Sequence, residues 1–146
     1  MSVLVDTKIL LRRTQPDHPH HAVAVESVAR LLATGEPVCF TLQNIAEFWN
    51  VATRPLANNG MGFSVAFTLD EVGKIERVLT LLPDSAAMYA EWKRLVVAHS
   101  VLGSKVHDAR LVAAMAVHGG RRILTFNTCD FSRYQVEILD PTALLS

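Results

Sequence analysis

Two kinds of apolar segment alternate along the chain, and this alternation restricts the fold more than any other feature. One kind is short and continuous, as in Val3-Leu4-Val5 and in residues 37–41, 79–82, 121–126 and 136–139. Consecutive apolar positions rich in β-branched residues suit strands that are buried on both faces, as in a parallel sheet. The other kind repeats at helical spacing. Ala22, Val25, Val28, Ala29 and Leu32 form one such stripe, and Ile45, Ala46, Phe48, Trp49 and Val51 form the next. Met88, Trp92, Leu95 and Val96 form a third, and Leu111, Val112, Met115 and Ala116 a fourth. Helices lying between strands imply βαβ units with right-handed crossovers. The expected fold is therefore α/β: three αβα layers around a central, mainly parallel sheet. Ligands of such sheets bind beyond the carboxyl ends of the strands.

The punctuation agrees with this pattern. Gly35 ends the first helix, Thr41 can cap the second, and Arg54-Pro55 closes it. Residues 58–62 form a glycine-containing connection. Thr68-Leu69-Asp70-Glu71 has the form of a capped helix start, with the helix running to about Val78. Asp84 or Ser85 caps a helix through His99, and Gly119-Gly120 ends the helix over residues 106–117. At 146 residues, the expectation is one domain over 1–146. A chain of this size buries about 70% of its unfolded surface and folds without staples. Fourteen basic residues balance fourteen acidic ones, which excludes an extended DNA-coating surface but leaves room for a local basic patch. Cys39 and Cys129 have no metal-binding spacing and are expected to remain reduced. No apolar run approaches the roughly 18 residues of a membrane span. The first residues lack a basic region with a long apolar run behind it, so the expected location is the cytoplasm.

Polar residues stand where the apolar segments stop. Asp6 ends the first strand, and Asn127 ends a later one with Asp130 three residues on. Glu47 sits in an apolar helix, and Asp108 opens another. An isolated acid in a first turn needs no explanation beyond the helix dipole, which favours it by roughly 0.3–1 kcal/mol. Convergence of Asp6, Glu47 and Asp108 is another matter. Two unit charges at 4 Å repel by about 4 kcal/mol at an effective dielectric of 20. A divalent cation relieves that repulsion, and oxygen-only ligands select Mg²⁺ or Mn²⁺ over Zn²⁺. Such a site activates water and stabilises the oxygen that departs in phosphodiester cleavage. His18, His20 and His21 cluster between Pro16, Pro19 and the first helical stripe, and read as a solvated helix entry rather than a metal site.

Four pieces in order resemble a PIN domain, the fold of the VapC-type toxin ribonucleases. They are Val3-Leu4-Val5-Asp6-Thr7, then Ile45-Ala46-Glu47-Phe48, then His107-Asp108-Ala109, and last Leu124-Thr125-Phe126-Asn127 with Asp130-Phe131. The resemblance implies Mg²⁺- or Mn²⁺-dependent hydrolysis of RNA, frequent homodimers and an inhibitory antitoxin partner. By position, Asp6, Glu47 and Asp108 match the acidic triad, and Thr7 and Thr125 are supporting residues. Asn127 falls on a fourth position that is usually acidic, where its carbonyl coordinates without charge and Asp130 can compensate. Lys8 replaces the usual Asn or Ser. Arg12, Arg13, Arg54, Lys105 and Arg110 are candidates to line an RNA path through phosphate contacts, with ordinary surface charge as the alternative. Trp49 suits the core better than a base-stacking role.

The leading reading is thus a metal-dependent endoribonuclease acting on single-stranded RNA, the toxin of a type II toxin–antitoxin pair. The alternative is a PIN-like RNA-binding or scaffold domain impaired in catalysis. A phosphotransfer enzyme with Asp6 as nucleophile lacks the second acid that such chemistry wants soon after the first.

Overall fold

A computed structural model describes residues 2–146. In chain order it contains β1 (Val3–Val5), α1 (Thr7–Arg13), α2 (His21–Ala33), β2 (Val38–Thr41), α3 (Leu42–Thr53) and α4 (Val65–Val78). These are followed by β3 (Thr80–Leu82), α5 (Ala86–Ala98), α6 (Val106–Val117), β4 (Arg122–Leu124), β5 (Glu137–Leu139) and α7 (Pro141–Leu145). The strands form one sheet in the order β3-β2-β1-β4-β5, and every pairing is parallel.

Residue alternation in the strands divides the core between the two faces. Val3, Val5, Phe40 and Leu124 face a cluster containing Ile9 and Leu10 of α1, Val28 of α2, Phe48 of α3 and Ile75 of α4. Leu4, Cys39 and Ile123 point the other way, toward Leu95 of α5, Leu111 and Met115 of α6, and Phe131. Side chains such as Phe48, Leu10 and Ile123 are fully buried, and each such burial is worth about 1.5–3 kcal/mol. This is the three-layer αβα architecture expected from the sequence. Both cysteines are free thiols, Cys39 buried and Cys129 exposed. Among the described residues, no helix is long and apolar enough to cross a membrane.

Several boundaries differ from the sequence reading. α4 begins one turn earlier than Thr68. Ser64 is its cap, accepting the Phe67 amide at 3.0 Å, and Thr68 lies buried inside, donating its hydroxyl to the Ser64 carbonyl at 2.8 Å. β4 stops at Leu124, although the Thr125 amide still reaches the Leu139 carbonyl at 3.1 Å. The short α7 follows from an Asp140 cap on Thr142 and from Pro141 in its first turn.

The connection from 54 to 62 folds back on α3 through backbone bonds Met61 to Val51 (2.9 Å), Gly62 to Arg54 (2.9 Å) and Phe63 to Ala52 (2.8 Å). A Cβ at Gly60 would stand 1.9 Å from the Arg54 carbonyl oxygen. Gly60→Ala is therefore expected to destabilise the protein by about 2 kcal/mol or more, because backbone rather than a flexible side chain must yield. Urea unfolding compared with wild type checks this.

The strand order also locates a crevice. β1, β2 and β3 extend to one side, whereas β4 lies on the other side of β1. The order in which strands are added therefore reverses between β1 and β4, and the carboxyl ends of these two parallel strands flank the place where open α/β sheets take their ligands.

Candidate active site

Asp6 leaves β1 at that crevice. Its extended backbone caps α1, and its Oδ1 accepts the Thr7 amide at 2.8 Å. Its Oδ2 accepts the hydroxyl of Thr125, which leaves β4, at 2.8 Å. The Thr125 hydroxyl in turn accepts the Asn127 amide at 3.0 Å. The two strand ends are thus tied across the reversal point by one carboxylate and one hydroxyl. Thr125 is completely buried, so its hydroxyl has no water to compete for it.

Glu47 arrives from α3, in the second turn of that helix. Its Oε1 accepts the Thr7 hydroxyl at 2.8 Å, and the same hydroxyl accepts Asn44 Nδ2 at 3.1 Å. Asn44 is fully buried and completes the α3 capping box. Its Oδ1 accepts both the Thr41 amide (2.8 Å) and the Thr41 hydroxyl (3.0 Å). A chain of hydrogen bonds therefore runs from the end of β2 through Asn44 and Thr7 to Glu47, holding the acid where its charge acts on Asp6. Neighbouring Gln43 donates to the His107 carbonyl at 2.9 Å, which fixes the start of α6 against α3. Sequence reasoning singles out neither Asn44 nor Gln43. The Thr41-x-x-Asn44 spacing is the available signal for Asn44.

Asp108 stands in the first turn of α6. Burial lifts its pKa to about 6, with the charges of Asp130 and Asp6 adding to the effect, Lys105 opposing it and Glu47 contributing least. Burial also raises Asp6, against the stabilising bonds from Thr125 and Thr7, and Glu47 and Asp130 push it further in the same direction. The four acids thus act on one another around one pole of the sheet. Asp130, from the 3₁₀ turn Thr128–Phe131, is held by Lys105 at 2.6 Å. Among the described residues, no ion pair or hydrogen bond neutralises the Asp108 carboxylate.

Carboxylates left unneutralised beside one another call for a cation. Among the described residues, no group of three or more His, Cys, Asp or Glu side chains is drawn up to hold a metal ion as it stands. An open, oxygen-only set of this kind fits a hard ion that keeps several of its own waters and takes one or two carboxylates directly.

The basic candidates are dispersed. Lys105 sits beside the acids, paired with Asp130. Arg110 lies 3.5 Å from Asp84, and Arg54 reaches the Asn59 carbonyl at 3.5 Å. Arg13 is near Glu71, and Arg12 bonds the Gln15 side chain at 2.7 Å. Lys8 is exposed. Trp49 packs against the α1–α4 core, as its apolar helix face suggests.

Comparison with known proteins bears on the fold. The sequence profile of the PIN domain matches residues 3–137. No curated protein sequence matches the chain. VapBC-1 from nontypeable Haemophilus influenzae is similar in structure, with a TM-score of 0.70 at 12% identity, covering 97% of this chain and 99% of that one. VapBC2 from Rickettsia felis, solved with a DNA fragment from its promoter, superposes with a TM-score of 0.69 at 13% identity, covering 94% and 97%. Mycobacterium tuberculosis VapC20, a toxin that cleaves the Sarcin-Ricin loop, gives 0.68 at 18% identity, covering 94% and 99%. At these identities the likeness to the solved structures is one of fold.

Proposed function

The chain belongs to the PIN domain family, and from that premise we propose that it is a divalent-metal-dependent endoribonuclease acting on single-stranded RNA, the toxin of a type II toxin–antitoxin pair. The observation that carries this reading is the acidic pole at the β1/β4 reversal, with Asp108 left unneutralised there. Asp6 and Asp108 would hold Mg²⁺ or Mn²⁺, with Glu47 and Asp130 reaching it directly or through water and Asn127 offering a neutral carbonyl. Once bound, the ion supplies an activated water and charge stabilisation for the departing oxygen. The chain's own contribution is orientation. Thr125 and the Thr7 amide fix both oxygens of Asp6, and Asn44 and Thr7 fix Glu47. Lys105 offsets part of the acidic charge and, with Arg12, Arg13, Arg54 and Arg110, is proposed to meet RNA phosphates.

The partner reading rests on exposed apolar side chains. Val25 on α2 and Val65, Phe67 and Leu69 on α4 are exposed, Leu69 by 59%. An antitoxin helix laid against these residues, or a second copy of the chain in a homodimer, would cover them.

Metal titration in an RNA cleavage assay tests the activity. Cleavage is expected only with Mg²⁺ or Mn²⁺ and is expected to stop on chelation. Asn127→Asp adds one negative charge to the pole and should lower the metal concentration at half-activity several-fold. If wild type leaves varied RNAs intact with every metal tried, the nuclease reading fails and the catalytically impaired RNA-binding domain takes its place.

A further inference from the structure

The histidines between α1 and α2 are not used by the site described above, yet they lie directly beside it. The His20 ring stacks on Phe126 with centroids 4.7 Å apart and planes 16° apart. Phe126 lies between Thr125, which holds Asp6, and Asn127. The His18 ring stands 5.4 Å from that of His20. The ladder His18, His20, Phe126 therefore leads from the α1–α2 corner to the rim of the acidic pole.

His18 Nδ1 accepts the His20 amide at 3.0 Å, so in the neutral ring the proton sits on Nε2, the nitrogen left free to donate. His21 is committed elsewhere, with its Nδ1 on the Arg12 carbonyl at 2.9 Å. Partial burial, followed by the nearby Arg12 charge and the neighbouring His20 ring, holds the His18 pKa below the usual histidine range. The Arg12 guanidinium, the free Nε2 of His18 and the exposed His20 ring thus share a single corner beside the acidic pole. Imidazole N–H donors beside one guanidinium favour an anion that accepts hydrogen bonds. His20 is exposed, and stacking on Phe126 holds its ring in place, so little side-chain freedom is lost when it meets a ligand.

We propose that His18 and His20, with Arg12, form a phosphate-binding subsite that takes a backbone phosphate of RNA next to the one at the acidic pole. This rests on the nuclease reading for the identity of the polymer. The chemistry itself, imidazole N–H donors beside the Arg12 guanidinium at an exposed corner, asks only for a phosphate.

The test reads binding with the metal chelated, so that it does not depend on cleavage. Anisotropy of a labelled single-stranded oligoribonucleotide is followed against salt for wild type, His20→Phe, His20→Ala and His18→Gln combined with His20→Phe. His20→Phe retains an aromatic ring for stacking on Phe126 but removes the donor. It should weaken binding about as much as His20→Ala, whereas a purely structural role would be rescued. The double variant should bind about tenfold more weakly. Its slope of log affinity against log salt should fall by about 0.7 for each phosphate no longer engaged. Unchanged affinity and slope in the double variant would overturn the subsite, as would failure of wild type to bind the oligonucleotide. Inorganic phosphate alone, shifting the His18 and His20 ring resonances while the oligonucleotide does not, would also overturn the RNA assignment. If the variants weaken binding while wild type fails to cleave, the subsite stands and the nuclease reading fails.

Discussion

Asp108→Asn is expected to reduce RNA cleavage by roughly 10²–10⁴-fold while making the metal-free protein more stable. The two effects have one cause. In the folded chain the Asp108 carboxyl has a pKa of about 6, against 3.8 for the free group, because burial and then the charges of Asp130 and Asp6 oppose its ionisation. Between those two values the folded protein holds a proton that the unfolded chain has released. Stability therefore falls as pH rises through that window, and above about pH 6 the loss is complete. At pH 7 the side chain is mostly ionised and carries this cost. The shift corresponds to about 3 kcal/mol at most, and partial contact with solvent reduces it to about 1–2 kcal/mol. The neutral amide avoids the cost, so urea denaturation at pH 7 should show a gain of that size, absent at pH 4. Adding Mg²⁺ or Mn²⁺ should then stabilise wild type more than the variant. Equal cleavage by the variant, or equal stability at both pH values, would contradict the assignment of Asp108.

Much of this arrangement is legible in the sequence because it depends on where apolar runs stop. Val3-Leu4-Val5 suits a buried strand, which puts Asp6 at a carboxyl end, and the same logic puts Asn127 after the run 121–126, although β4 itself stops at Leu124 and leaves Thr125 at the strand end. Glu47 is harder to place. On periodicity alone it is a surface acid, and only the order of the family's pieces marks it. What stays hidden depends on tertiary approach. The Lys105–Asp130 pair spans 25 residues, and the Gln43 bond to His107 spans 64. No local rule links such positions. Thr68 resembles a cap because Thr68-x-x-Glu71 has the capping-box spacing, yet Ser64 one turn earlier forms the bond and Thr68 is buried inside the helix. In the same way, the histidine cluster reads as a solvated helix entry because its stacking partner, Phe126, lies more than a hundred residues away.

Asn44→Ala should cause the largest loss of stability among the site substitutions, about 2–4 kcal/mol. The side chain is fully buried and serves two neighbours at once. Removing it takes away the donor that the Thr7 hydroxyl accepts, worth about 1 kcal/mol. It also leaves the buried Thr41 amide without its acceptor, at about 1–3 kcal/mol. Loss of activity in this variant alone would not separate aim from folding, and Thr7 provides the separation. Thr7→Val keeps the shape of the side chain but removes the hydroxyl that accepts from Asn44 and donates to Glu47. It should cost only about 1 kcal/mol of stability, yet lower kcat about tenfold or more with little change in KM, because the free Glu47 carboxylate is no longer aimed. Thr7→Ser restores the hydroxyl and should restore kcat. If Thr7→Val cleaves as fast as wild type, Thr7 is packing alone and the orientation of Glu47 must come from α3 itself.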